Sequence, residues 1–145
     1  MKDKVVIVTG ASSGIGKATA IRFAEAGAKL VIAARSIEKL KETESEIINL
    51  GTEVLLQSTD VANEEDCKRL IDGTVEKFGR IDVLINNAGI SMRALLEEMD
   101  LSVIKNVMDI NFWGAVYCSK FALPHLLKQK GSIVGVSSIA GYVGL

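Results

Sequence analysis

The chain has 145 residues, with 17 Lys and Arg against 18 Asp and Glu, for a formal charge of −1. That length suits one domain with a real core, and 48% hydrophobic against 24% charged residues excludes a disordered chain. Near-neutrality and a pI of about 5.9 argue against a protein whose main task is gripping nucleic acid phosphates.

The mean hydropathy of +0.29 is positive, but the apolar runs are short. Val5-Val6-Ile7-Val8 and Leu30-Val31-Ile32-Ala33-Ala34 fall far below the roughly twenty residues of a membrane helix. The start, Met1-Lys2-Asp3-Lys4, leads into too short an apolar run for a secretory signal. Cys67 and Cys118 form neither a metal-ligand pattern nor a disulfide framework. The expectation is a soluble, cytoplasmic protein without a bound metal, a membrane span or a nucleic acid partner.

Strand-like runs begin at Val5, Leu30, Val54 and Ile81, spaced by 25, 24 and 27 residues. They are rich in Val, Ile and Leu with little alternation, as in strands buried on both faces of a parallel sheet. The first run ends in Thr9-Gly10-Ala11-Ser12-Ser13-Gly14-Ile15-Gly16, with a helix following through Ala26. A glycine-rich turn from strand to helix offers free N–H groups and a favourable dipole to a pyrophosphate. Gly10 permits the tight turn, Gly14 and Gly16 let backbone approach ligand and helix approach strand, and Ser12 and Ser13 add hydroxyl donors. The alternative is a purely structural turn, and the spacing differs from G-x-G-x-x-G.

An NAD site of this topology carries an acid at the end of the second strand, for the ribose 2′-hydroxyl. Here that end reads Ala33-Ala34-Arg35-Ser36. The planar donors of Arg35 suit a 2′-phosphate instead, which favours NADP over NAD; a solvated loop cation is the other reading.

Residues 63–78 show helical spacing in Cys67, Leu70, Ile71, Val75 and Phe78, with Asn63 as cap and Glu64, Glu65 and Asp66 at the positive end of the dipole. Strand, helix, strand at short intervals predicts right-handed βαβ units in a doubly wound sheet. The gap between Ile81 and a fifth strand over 132–137 predicts two helices, over 100–108 and 110–128. The second is apolar nearly all round, which implies burial on more than one side, by the sheet and by a partner subunit or further chain. Pro124 is expected to kink it or mark an irregular late turn.

Thr9-Gly10-x-x-x-Gly14-Ile15-Gly16, Asp60-Val61, Asn86-Asn87-Ala88-Gly89, Asn111 and Val136-Ser137-Ser138, in this order, resemble the short-chain dehydrogenase/reductase family along the whole chain. The resemblance implies a Rossmann-type sheet of order 3-2-1-4-5 forming a single dinucleotide-binding domain over 1–145, truncated after the fifth strand. It implies that Gly10, Ser12, Ser13, Gly14, Ile15 and Gly16 hold the pyrophosphate and adjacent ribose. Asp60 and Val61 would contact adenine, Asn87, Ala88 and Gly89 would line the cofactor groove, and Asn86 would steady the sheet. Ser138 looks like the catalytic serine, and Asn111 like the asparagine that positions a water in the proton relay.

The family's general acid/base, a tyrosine in Tyr-x-x-x-Lys about a dozen residues past the serine, would fall beyond Leu145. Tyr142 has no lysine after it, and Tyr117 precedes the serine. The expectation is therefore the N-terminal part of a longer enzyme. That enzyme would interconvert a carbonyl and a secondary alcohol by hydride transfer with NADP, as a homo-oligomer through the 110–128 helix. The rival is a noncatalytic dinucleotide-binding or scaffold protein. His125 reads as structural or solvated, Arg93 as a loop cation near a small-molecule substrate, and Cys67 and Cys118 as packing residues.

Overall fold

The computed structural model describes residues 1–139. Among these, the strands β1 (Val5–Thr9), β2 (Lys29–Ala34), β3 (Val54–Ser58), β4 (Val83–Asn86) and β5 (Ser132–Gly135) form one parallel sheet of order β3-β2-β1-β4-β5. This is the expected Rossmann order, with the strand order reversing beside β1. A crevice at such a switch point, outside the carboxyl ends of the strands, is where ligands bind in open α/β sheets.

The core has two halves, one on each face of the sheet. Helices α1 (Gly14–Glu25) and α2 (Ile37–Asn49) cover one face, packing Ala20, Ala24, Leu40 and Ile47 against Val6, Val8, Leu30 and Ile32. On the other face α3 (Glu64–Phe78) and α5 (Gly114–Gln129) set Cys67, Leu70, Ile71, Cys118, Ala122 and Leu126 against Val5, Ile7, Val31 and Leu84. Because alternate strand residues go to opposite faces, β1 is apolar from Val5 to Val8 and wholly buried through Thr9. Asn63 caps α3 as expected, its side-chain oxygen accepting from the N–H groups of Glu65 and Asp66.

Three local expectations change. β4 starts at Val83, two residues after Ile81, because Asp82 turns its carboxylate back to the Val5 N–H, Lys4 and Arg80. β5 ends at Gly135 rather than at 137, although Val136 still donates to the Asn86 carbonyl. The two helices expected between β4 and β5 are one continuous helical run. Helix α4 (Leu101–Met108), capped by Asp100, passes through a π-turn at Asp109–Trp113 into α5.

The irregular turn is thus at the start of α5, not at Pro124. Pro124 lies on the exposed side of α5. The all-round apolar character of the run also resolves into two faces. Ile110, Gly114, Cys118, Ala122 and Leu126, four apart, are buried, while Phe112, Trp113, Val116, Leu123 and Leu127 are exposed.

Candidate active site

The glycine turn is built for close approach. Gly10 and Gly14 both have left-handed backbone (φ +66° and +55°), which an L side chain rarely adopts. A Cβ on Gly14 would meet nothing within 4 Å, so that side of the turn is open. Gly16 differs, since a Cβ there would lie 2.3 Å from the Gly10 carbonyl and 2.4 Å from Asn87 Nδ2. Gly16 accordingly sits behind the groove, not on its wall, where it lets α1 press against the turn. Ser13 begins α1 without a side-chain cap, which leaves the first N–H groups of the helix to a ligand.

The turn is strapped to the end of β4. Asn87 Nδ2 donates to the carbonyls of Thr9 (2.9 Å) and Gly10 (3.2 Å). The buried Thr9 hydroxyl donates to the Ile85 carbonyl and accepts from the N–H groups of Asn87 (3.0 Å) and Ala88 (3.1 Å). Thr9 was not singled out in the sequence; its only signal there is its place just before Gly10. Asn86 turns the other way and donates to Ser119 Oγ at 3.0 Å, tying β4 to α5 rather than to another strand.

A groove of about 500 Å³ runs over this strap. Gly10, Ser12, Ser13, Gly14, Ile15, Arg35, Asp60, Val61, Asn87, Ala88 and Gly89 all line it, so every residue expected at the cofactor except Gly16 is brought together. Ser36 and Lys39 line it beside Arg35 and were missed in the sequence. Ser36 is the N-cap of α2, accepting from the Lys39 N–H at 3.4 Å, so the helix N-terminus and two cations gather at one end. At the same place the Glu38 carboxylate accepts from the Ser36 hydroxyl. Its own backbone N–H and then that hydroxyl hold the Glu38 carboxyl below the usual range.

A second cleft, about 690 Å³, continues from the first past Ile15, Val61, Gly89, Ile90 and Ile110. Asn111 and Ser138, the two residues expected to be catalytic, both line it, together with Ser137 and Val136. Both amide atoms of Asn111 are engaged with Ile90: Oδ1 accepts from its N–H and Nδ2 donates to its carbonyl, each at 2.8 Å. Asn111 reaches Ile90 from within the π-turn, which links the long helix to the segment leaving β4. Tyr142 lies outside the described residues. Ile15 stands between the two clefts with 65% of its surface exposed, an apolar side chain that a bound ligand would cover.

The model of the short chain dehydrogenase family matches residues 4–145. The chain belongs to the short chain dehydrogenase family. It is 46% identical over 145 residues to an 11-beta-hydroxysteroid dehydrogenase of Pinus massoniana, covering 99% of this chain and 41% of that protein. It resembles the alcohol dehydrogenase of the archaeon Thermococcus sibiricus solved with 5-hydroxy-NADP, at 30% identity and a TM-score of 0.96, covering 99% of this chain and 62% of that one. It likewise resembles an actinorhodin polyketide ketoreductase variant solved with NADPH, at 31% identity and a TM-score of 0.95, covering 100% of this chain and 58% of that one. This short chain dehydrogenase sequence therefore spans less than half of its pine relative. Among the described residues, no helix is long and apolar enough to cross a membrane.

Proposed function

We propose that the chain forms the nucleotide-binding part of an NADP-dependent oxidoreductase that interconverts a carbonyl and a secondary alcohol. The observation that carries this is the convergence of the open glycine turn, Asp60-Val61 and Asn87-Ala88-Gly89 on one groove with Arg35, Ser36 and Lys39 at its end. The residues fit a dinucleotide. An uncapped helix N-terminus suits a pyrophosphate, and a groove of this size opening into a second cleft suits two nucleotides in line.

When bound, NADP supplies or accepts the hydride. Arg35, with Lys39 beside it, would pair with the 2′-phosphate, and the Ser36 hydroxyl would exchange Glu38 for a phosphate oxygen. Asp60 and Val61 would hold adenine, and the Asn87 strap would keep the glycine turn in shape under the pyrophosphate. Ser138 would hydrogen-bond the substrate oxygen. Asn111 would fix the Ile90 segment between the two clefts, from which its part in a proton relay would follow.

The substrate side favours an apolar molecule. Ile90, Ile110 and Val136 line the second cleft, and Met92, Leu95 and Leu96 stand exposed on the following segment. A steroid-like carrier, as in the name of the pine relative, fits that surface. The exposed face of the π-turn and α5, with Phe112, Val116, Leu123 and Leu127, supports self-association. Two free, buried cysteines fit a cytoplasmic setting.

The test is NADPH oxidation by the natural full-length protein against a panel of ketones that includes a steroid. Turnover with NADPH above NADH is the expected result. Tight NADPH binding without turnover on any carbonyl would favour the noncatalytic rival, and absence of binding would refute both.

A further inference from the structure

The loop between β3 and α3 is tied to the end of β2 by the Thr59 N–H on the Ala34 carbonyl, while Asp60 and Val61 are held from the start of α3. Asp66 Oδ2 accepts from the Asp60 N–H at 3.0 Å, and its other oxygen pairs with the Arg69 guanidinium. The Asp60 carbonyl accepts from the Asn63 N–H at 2.9 Å, and Asp60 Oδ1 from the Ala62 N–H at 3.1 Å. The Val61 carbonyl accepts from the Cys67 thiol at 3.3 Å. Most polar groups of Asp60 and Val61 are thus consumed on the helix side. On Asp60 and Val61 themselves, among the described residues, two groups are left without a hydrogen-bond partner: the Val61 N–H and Asp60 Oδ2. One is a donor and the other an acceptor on adjacent residues, and both residues line the groove.

A donor beside an acceptor selects among purines. The edge of adenine offers the N1 acceptor and the N6 amino donor, so it complements the pair. Hypoxanthine offers an N1–H donor and an O6 acceptor, which puts donor against donor and acceptor against acceptor. We propose that Asp66 is a positioning residue for base selection: by gripping the Asp60 N–H it holds the acceptor of Asp60 and the donor of Val61 in register with adenine. The inference rests on the nucleotide site proposed above. Asp66 touches no ligand itself. Its grip, with the Asn63 N–H on the Asp60 carbonyl, fixes Asp60 from the α3 side, and the ion pair with Arg69 fixes Asp66 in turn.

The experiment compares binding of NADPH with that of reduced nicotinamide hypoxanthine dinucleotide phosphate, by fluorescence titration of the wild-type chain, Asp66→Ala and Asp66→Asn. The wild type should prefer NADPH by about tenfold, since a site that hydrogen-bonds a group rejects the analogue with mismatched partners. Asp66→Ala should reduce the preference to within about twofold, and Asp66→Asn, which keeps an oxygen for the Asp60 N–H, should restore most of it. A loss of fold would weaken both ligands and leave their ratio, so the ratio reads positioning alone. Asp66→Ser, too short to reach Asp60, replaces Asp66→Ala should that variant not fold. A wild-type preference retained by Asp66→Ala or Asp66→Ser overturns the proposal, as does an Asp66→Asn variant no better than Asp66→Ala. Equal wild-type binding of both dinucleotides overturns it while leaving the nucleotide site standing, whereas binding of neither overturns the site as well.

Discussion

Asn87, at the end of β4, holds Gly10, at the end of β1, by a side-chain hydrogen bond of 3.2 Å to its carbonyl, and holds the preceding Thr9 carbonyl at 2.9 Å. The central sheet positions the ligand loop through this pair. β1 and β4 are neighbours in the sheet, so their carboxyl ends lie side by side. The amide of Asn87 converts that adjacency into a fixed shape for a turn whose two positive-φ glycines would otherwise leave it loose.

Gly16 makes the strap possible, and its substitution is the sharpest structural test. In Gly16→Ala the new methyl would fall 2.3 Å from the Gly10 carbonyl and 2.4 Å from Asn87 Nδ2, so backbone must move. The expected cost is about 2 kcal/mol of stability, together with loss of NADPH binding. Thermal unfolding and a binding titration check both; unchanged affinity would show that the strap does not shape the site.

Thr9→Val keeps the volume and removes the hydroxyl that serves three backbone groups, at Ile85, Asn87 and Ala88. Buried groups left unpaired cost about 2 kcal/mol here. Urea unfolding should show that loss with little change in the slope, and nucleotide affinity should fall with it.

Arg35→Asp places an acid where NAD-type sites carry one. The affinity for NADPH should fall more than about tenfold, while that for NADH holds or improves. Parallel titrations decide the point, since equal weakening of both cofactors would remove Arg35 from the 2′-phosphate.

At the opposite end of the sheet, Asp82 joins the starts of β1 and β4 through Lys4, the Val5 N–H and Arg80. Burial alone pushes its carboxyl up, but the Arg80, Val5 and Lys4 donors together outweigh it and hold it below the usual value. A depressed folded-state pKa gives stability that is present above the unfolded value of about 3.9 and lost as pH falls through the folded one. Asp82→Asn should therefore cost about 1–2 kcal/mol near neutrality. The difference from wild type should hold from about pH 7 to 5 and narrow below about pH 4. A difference that does not change with pH would contradict the charged role.

The parallel order and the Asn63 cap were legible in the sequence because both are local: a buried-strand run repeats on its own, and a cap is read from its next three residues. Most of the groove was legible too, as its residues cluster at strand ends. Ser36 and Lys39 were not, because a helix start gains meaning as a ligand site only once the glycine turn is seen beside it. Gly16 lines neither cleft, and spacing alone does not say which of Gly14 and Gly16 faces the ligand and which lets the helix approach the strand. The π-turn escaped because its residues suit an α-helix equally well. What sets it apart is the Asn111 amide on Ile90, a contact across 21 positions of sequence.

The central claim is that one groove over the Asn87 strap binds NADP, and hydrogen–deuterium exchange with and without NADPH tests it most directly. Saturating NADPH should slow exchange in the segments around Gly10–Gly16, Arg35–Lys39, Asp60–Val61 and Asn87–Gly89, and leave the Lys4–Asp82 end of the sheet unchanged. Protection confined to other segments, or none at saturating cofactor, would contradict the account.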